Sequence, residues 1–218
     1  MDNRTLSHIL PRLARFVGQW EVPWVEADSR RGRDPYRVLV ACILSLRTQE
    51  ETTRGASDRL FRLASTPSEM VRLSEERIEK AIYPVGFYRT KARNILDLSN
   101  TLLAEYEGSV PDTMEGLLGL RGVGRKTANL VLGVGYGIPA ICVDTHVHRI
   151  TNRWGYVQTR TPDQTEMALR EKLPRKYWSD INRVLVMFGQ NWCKPLSPKC
   201  SGCPIVENCP QIGVLRRR

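Results

Sequence analysis

The chain has 218 residues, enough for one substantial hydrophobic core or two smaller ones. Its 41% hydrophobic content is ordinary for a globular protein, while 33 basic against 23 acidic residues leave a net charge of +10. That surplus points to a polyanionic partner, nucleic acid before others, with a merely solubilising surface as the plainer alternative.

The start, Met1-Asp2-Asn3-Arg4, leads into a segment charged at Arg12 and Arg15 and lacks the apolar core and cleavage site of a secretory signal. Apolar residues spaced by three and four predict helices over residues 11–16, 36–46 and 54–63. Thr66-Pro67-Ser68-Glu69 has the form of a capping box with proline at the first helical position. Ser74-Glu75-Glu76 opens another helix, which Gly86 is expected to end. Residues 90–106 form a long amphipathic helix with Ala92, Ile95, Leu96, Leu98, Leu102 and Leu103 turned inward. Pro111-Asp112-Thr113 caps a short helix, and further helices are predicted over 127–132, 145–154, 162–173 and 179–192. The longest uncharged run, Ala128 to Val143, is broken by Gly133, Gly135, Gly137 and Pro139 and is too short to span a bilayer. No run alternates with period two for long enough to demand a sheet, so the expected class is all-α and the expected location cytoplasmic.

Between the short helix and the next lies Leu120-Arg121-Gly122-Val123-Gly124-Arg125-Lys126. Two glycines around one apolar residue make a tight hairpin: Val123 packs down while the Gly122 and Gly124 amides face an anion, aided by the positive end of the following helix. Such a contact reads a phosphate backbone and not base sequence. An ordinary interhelix turn would also use glycine, but it has no need of Arg121, Arg125 and Lys126 crowded together. Lys126 suits either a phosphate contact or an amine nucleophile, which must lose its proton within the site. Asp144, 18 residues further on in Val143-Asp144-Thr145-His146, fits a helix N-cap and equally a base or a partner for a cationic transition state. His146 and His148 would point apart on a helix, so Asp144-x-His146-x-His148 makes a poor metal site.

Cys193, Cys200, Cys203 and Cys209 follow the pattern C-x6-C-x2-C-x5-C, while Cys42 and Cys142 stand alone in apolar surroundings and suit the core. Four cysteines this close in an expected cytosolic protein argue for metal over disulfides. Tetrathiolate chemistry alone leaves zinc and iron–sulfur both open.

Together, the hairpin over 120–129, the Val143-Asp144-Thr145-His146 segment and the cysteine spacing resemble the endonuclease III family of DNA glycosylases, within the helix–hairpin–helix superfamily, over nearly the whole chain. The resemblance implies a 4Fe–4S cluster on the four cysteines. It implies two helical domains with a DNA cleft between them: a six-helix barrel over 28–138, and a cluster domain of 1–27 with 139–218. The implied activity is a monomeric bifunctional DNA glycosylase and abasic-site lyase of base excision repair. It would flip an oxidised pyrimidine out of duplex DNA, displace it with the Lys126 amine and nick the strand through a Schiff base. Asp144 takes the activating role, and the location would be the bacterial or archaeal nucleoid. Lys194 and Lys199, in the cysteine loop, are candidate phosphate contacts. Phe87, in Val85-Gly86-Phe87-Tyr88, aligns with an apolar wedge that fills the gap left by a flipped base. In Leu44-Ser45-Leu46-Arg47-Thr48-Gln49, Arg47 stands where the family commonly has a glutamine beside the orphaned base, with Gln49 two residues on. Arg121 replaces the usual hairpin proline. The alternatives are a monofunctional adenine- or thymine-mismatch glycosylase, which generally lacks a lysine at the nucleophile position, and a non-catalytic DNA-binding module.

Overall fold

A computed structural model of the chain describes residues 1–20 and 34–218; the expected domain boundary at 27/28 lies outside the described residues. All regular structure among the described residues is helical, and no helix among them is long and apolar enough to cross a membrane. They fall into two compact units: the N-terminal residues with Pro139–Arg218, and the described residues up to Ile138.

The second unit is built around α2 (Pro35–Ser45), started by Asp34, whose carboxylate accepts from the Tyr36 and Arg37 amides at 3.0 and 3.1 Å. Tyr36 and every residue from Val38 to Leu44 are buried, so this helix is wrapped on all sides. Around it stand α3 (Glu50–Leu63), α4 (Pro67–Met70), α5 (Glu75–Ile82), α6 (Tyr88–Glu105), α7 (Met114–Gly119) and α8 (Arg125–Leu130). The expected capping box is present: Thr66 Oγ1 accepts from the Glu69 amide, and Glu69 accepts from the Ser65 and Thr66 amides, which holds its carboxyl below the usual range.

Two expectations are corrected here. Helix α5 ends at Ile82, not at Gly86, and Gly86 instead serves a close approach between loops. The segment read as a plain helix over 127–132 begins at Arg125 and widens after Leu130 into a π-helical turn over Val131–Tyr136. The reason is packing: a Cβ on Gly135 would lie 3.0 Å from Pro35 Cα, so the wide turn with glycine lets its backbone meet the start of α2.

In the other unit, α1 (Asn3–Val17) buries Leu6, Ile9, Leu10, Leu13 and Val17 and packs on α11 (Trp178–Asn191). Helices α9 (Thr145–Arg153) and α10 (Pro162–Lys172) complete it. Val147, Ile150, Trp154, Val184, Leu185 and Phe188 share this core, each contributing about 1.5–3 kcal/mol by its burial.

Candidate active site and cysteine cradle

The glycine hairpin joins α7 to α8. Gly122 adopts φ +80°, a left-handed conformation that favours glycine, and a Cβ there would also press on Asn94 Nδ2 at 3.3 Å. The Val123 amide donates to the Leu120 carbonyl at 3.1 Å and the Val123 side chain is buried. Gly124 is the N-cap of α8, and a Cβ there would meet nothing within 4 Å, so this face of the hairpin is open. Arg121 ion-pairs with Asp97 of α6 at 2.7 Å. The exposed pair is worth under about 1 kcal/mol, but it ties the hairpin to the long helix.

Lys126 is exposed on the first turn of α8, beside half-buried Arg125, while Thr127, Ala128 and Asn129 behind it are buried. Cys42 lies beneath: burial pushes its thiol up to about 12 against the opposing pull of the Lys126 charge, so it stays a neutral core residue. Cys142 is buried likewise.

A second group of expected site residues meets in the same unit, at the α2–α3 and α5–α6 loops. Arg47 and Phe87 are both left-handed at φ +53° and +57°, which costs a non-glycine residue about 1–2 kcal/mol. The Arg47 guanidinium lies 5.7 Å from the Phe87 ring centre, a cation–π pair. Phe87 is 63% exposed, so it is no core phenylalanine. Gln49 is exposed as the residue before α3, without a side-chain capping bond.

Sequence reading missed the residue beneath this pair. Lys91 of α6 is only 5% exposed and donates to the Leu44 carbonyl at 2.8 Å, the Leu46 carbonyl at 2.6 Å and Thr48 Oγ1 at 3.1 Å. Burial lowers its pKa to about 8. The signal was available: Lys91, Ile95, Leu98 and Leu102 fall on one stripe of the helix, and a lysine among core positions demands polar partners.

In the other unit Asp144 is the N-cap of α9. Its Oδ1 accepts from the His146 and Val147 amides at 2.8 and 2.9 Å, and its Oδ2 has no hydrogen bond among the described residues. His146 Nδ1 faces Arg149 at 3.1 Å and His148 Nδ1 faces Thr165 at 2.7 Å, so the two rings turn to different partners.

Cys193, Cys200, Cys203 and Cys209 line one largely apolar cavity with Trp154, Phe188, Trp192 and Ile205. Burial, with the neighbouring thiols adding to it, raises Cys203 to about 11 and also raises Cys209 and Cys200. Two arginines of α9, which the sequence did not single out, hold the loop. Arg149 donates to the Cys193 carbonyl at 2.9 Å; buried Arg153 donates to the Lys194 and Pro195 carbonyls at 2.8 and 2.7 Å and lies 3.3 Å from Cys193 Sγ. The Trp192 Nε1 donor is buried without an acceptor. Lys194 is exposed, and Lys199 lies over the Trp192 ring at 4.9 Å. Among the described residues, no three His, Cys, Asp or Glu side chains gather closely enough for a single metal ion.

Residues 40–175 match a family described as HhH-GPD superfamily base excision DNA repair protein. The chain is 49% identical to endonuclease III of Thermotoga maritima over 176 residues, covering 81% of this chain and 83% of that protein. Its structure superimposes on a trapped endonuclease III–DNA covalent intermediate, an estranged-adenine complex, with TM-score 0.85 and 33% identity over 97% of each chain. A thermostable thymine-DNA glycosylase superimposes with TM-score 0.82 and 25% identity, over 95% of this chain and 96% of that one.

Proposed function

Because the chain belongs to the HhH-GPD superfamily of base excision DNA repair proteins, we propose that it is a bifunctional DNA glycosylase and abasic-site lyase acting on oxidised pyrimidines in duplex DNA. The observation that carries this reading is Lys126: an exposed amine on the first turn of α8, next to a hairpin whose Gly124 side is open. The positive end of a helix suits a phosphate, and an amine beside it suits attack on the adjoining sugar.

In this mechanism the damaged nucleotide is flipped from the stack. The Lys126 amine attacks C1′ as the bond to the base breaks; the bonding pair leaves with the base, which takes up a proton. Opening of the sugar ring gives an imine. Loss of a 2′ proton then expels the 3′ phosphate by β-elimination, and water frees the lysine. Asp144 accepts the amine proton or balances the cationic sugar, using the oxygen its cap leaves over. Borohydride reduction of the enzyme on a lesion-bearing duplex tests the reading, with base release and strand cleavage scored separately. A covalent adduct supports the lyase; base release with no adduct and no nick supports a monofunctional glycosylase.

Gly122, Gly124, Arg125, Lys194 and Lys199 are assigned to the phosphates, with Val123 shaping the hairpin from beneath through its buried side chain and its amide bond to Leu120, and Arg47, Gln49 and Phe87 are assigned to the opened duplex. If four to six phosphates are neutralised, log K against log salt should fall with slope of roughly −4 to −5. A binding constant flat from low to physiological salt contradicts this assignment.

We assign a 4Fe–4S cluster to Cys193, Cys200, Cys203 and Cys209. The donor set is all soft sulfur, the walls are apolar, and the orphaned Trp192 Nε1 awaits an acceptor such as sulfide. The cluster supplies a structural or redox-linked group that holds the loop bearing Lys194 and Lys199. Natively purified protein is expected to be yellow-brown and to contain iron and acid-labile sulfide, and Cys203→Ala should disorder the 193–209 loop more than the hairpin. Stoichiometric zinc without visible absorption would reject the assignment.

A further inference from the structure

Two loops that converge on one buried lysine need an explanation beyond stability. Arg47 and Phe87 both sit in the left-handed region, where a non-glycine residue stays only if its surroundings hold it. The loops touch backbone to backbone: a Cβ on Gly86 would fall 2.9 Å from the Arg47 carbonyl oxygen. Thr48 Oγ1 joins them, accepting from the Gly86 amide at 3.2 Å and donating to the Leu46 carbonyl at 3.2 Å. Lys91 Nζ closes the arrangement with its three donors on Leu44, Leu46 and Thr48. Lys91 stands one turn after Phe87, the N-cap of α6, so its side chain ties the loop bearing Arg47 to the helix start that carries Phe87. No carboxylate among the described residues is within ion-pair reach of this ammonium, and a core-directed methionine would fill its place without burying a charge.

We propose that Lys91 is a positioning residue for base extrusion: it brackets the two loops so that Arg47 and Phe87 stand together in the conformation that enters an opened duplex. The proposal rests on the assignment of Phe87 as the wedge. Lys91 touches no DNA and takes no part in the amine chemistry. Its loss therefore acts on the opening of a paired substrate and spares a substrate that is already open.

The test compares full-length Lys91→Met and Thr48→Val with the unaltered protein on two substrates in single-turnover nicking. One is a fully paired duplex with an oxidised pyrimidine; the other carries the same lesion in a three-base unpaired bubble, which needs little unstacking. Lys91→Met is expected to lose about tenfold or more on the paired duplex and less than about threefold on the bubble. Thr48→Val, which removes the joining hydroxyl and with it one of the lysine's three acceptors but leaves the ammonium on both carbonyls, should lose in the same direction, and it carries the test if Lys91→Met does not fold. Equal losses on both substrates, or none, overturn the proposal when Phe87→Ala shows the paired-duplex defect. If Phe87→Ala shows no such defect and keeps its activity per folded molecule, the wedge assignment itself falls and the proposal with it.

Discussion

Lys126→Gln is expected to abolish strand nicking and borohydride trapping while duplex binding survives. The amide has no basic lone pair to attack C1′ or form an imine, so the covalent product should fall at least about 10⁴-fold, to background. The residue is exposed on the first turn of α8, so its replacement should move stability by no more than about 0.5 kcal/mol. Lys126 is not among the groups assigned to phosphates, so the salt dependence of binding should change by less than the roughly 0.9 that loss of one phosphate contact brings. Single-turnover assays beside binding isotherms check all three. A trapped adduct at the unaltered rate would mean that another amine is the nucleophile.

Asp144→Asn is expected to separate chemistry from capping. The cap uses Oδ1, which accepts from two amides of α9, and the asparagine carbonyl oxygen can take both bonds. The stability change should therefore stay within about 1 kcal/mol, whereas Asp144→Ala should lose the cap as well. Base release should fall by about 10²–10⁴-fold in the asparagine variant, because an amide neither accepts the amine proton nor carries the charge that balances a cationic sugar. Thermal unfolding and single-turnover base release give the two readings. Near-normal base release in a stable Asp144→Asn protein would leave the residue a cap and nothing more.

What could be read from the sequence was local in kind. The Thr66–Glu69 capping box, the Thr113 cap and the glycine hairpin are fixed by residues within a few positions of one another, and they stand where spacing placed them. Of the expected inward face of α6, Ala92, Ile95, Leu98 and Leu102 are buried, whereas Leu96 is half-buried and Leu103 is exposed, because the buried stripe runs through Lys91 and Ser99 instead. The rest depended on partners far along the chain. Nothing near Gly135 reveals that Pro35 will press against it, and so the π turn was read as plain helix. Gly86 looked like a helix end because its real neighbour, the Arg47 carbonyl, comes from 39 residues earlier. Arg149 and Arg153 were not singled out, because their acceptors are carbonyls of the cysteine loop some 40 residues on. That Lys126 opens α8 and Asp144 caps α9 was legible; the groups that hold the Arg47 loop and the cysteine loop in place were not.

The buried ammonium of Lys91 makes the loop pair sensitive to proton supply. The folded protein binds that proton less tightly than an unfolded chain, with a pKa near 8 against the ordinary 10.5. Between those values folding releases a proton, so this group's contribution to stability improves as pH rises, and its penalty is fully present below about 8. Yet a neutral amine offers two hydrogens and a lone pair to three oxygens, leaving one of them facing repulsion instead of a donor. Alkaline solution thus firms the fold at this position while slackening the bracket: the protonation state that best joins the loops is the one that costs the folded chain most to keep.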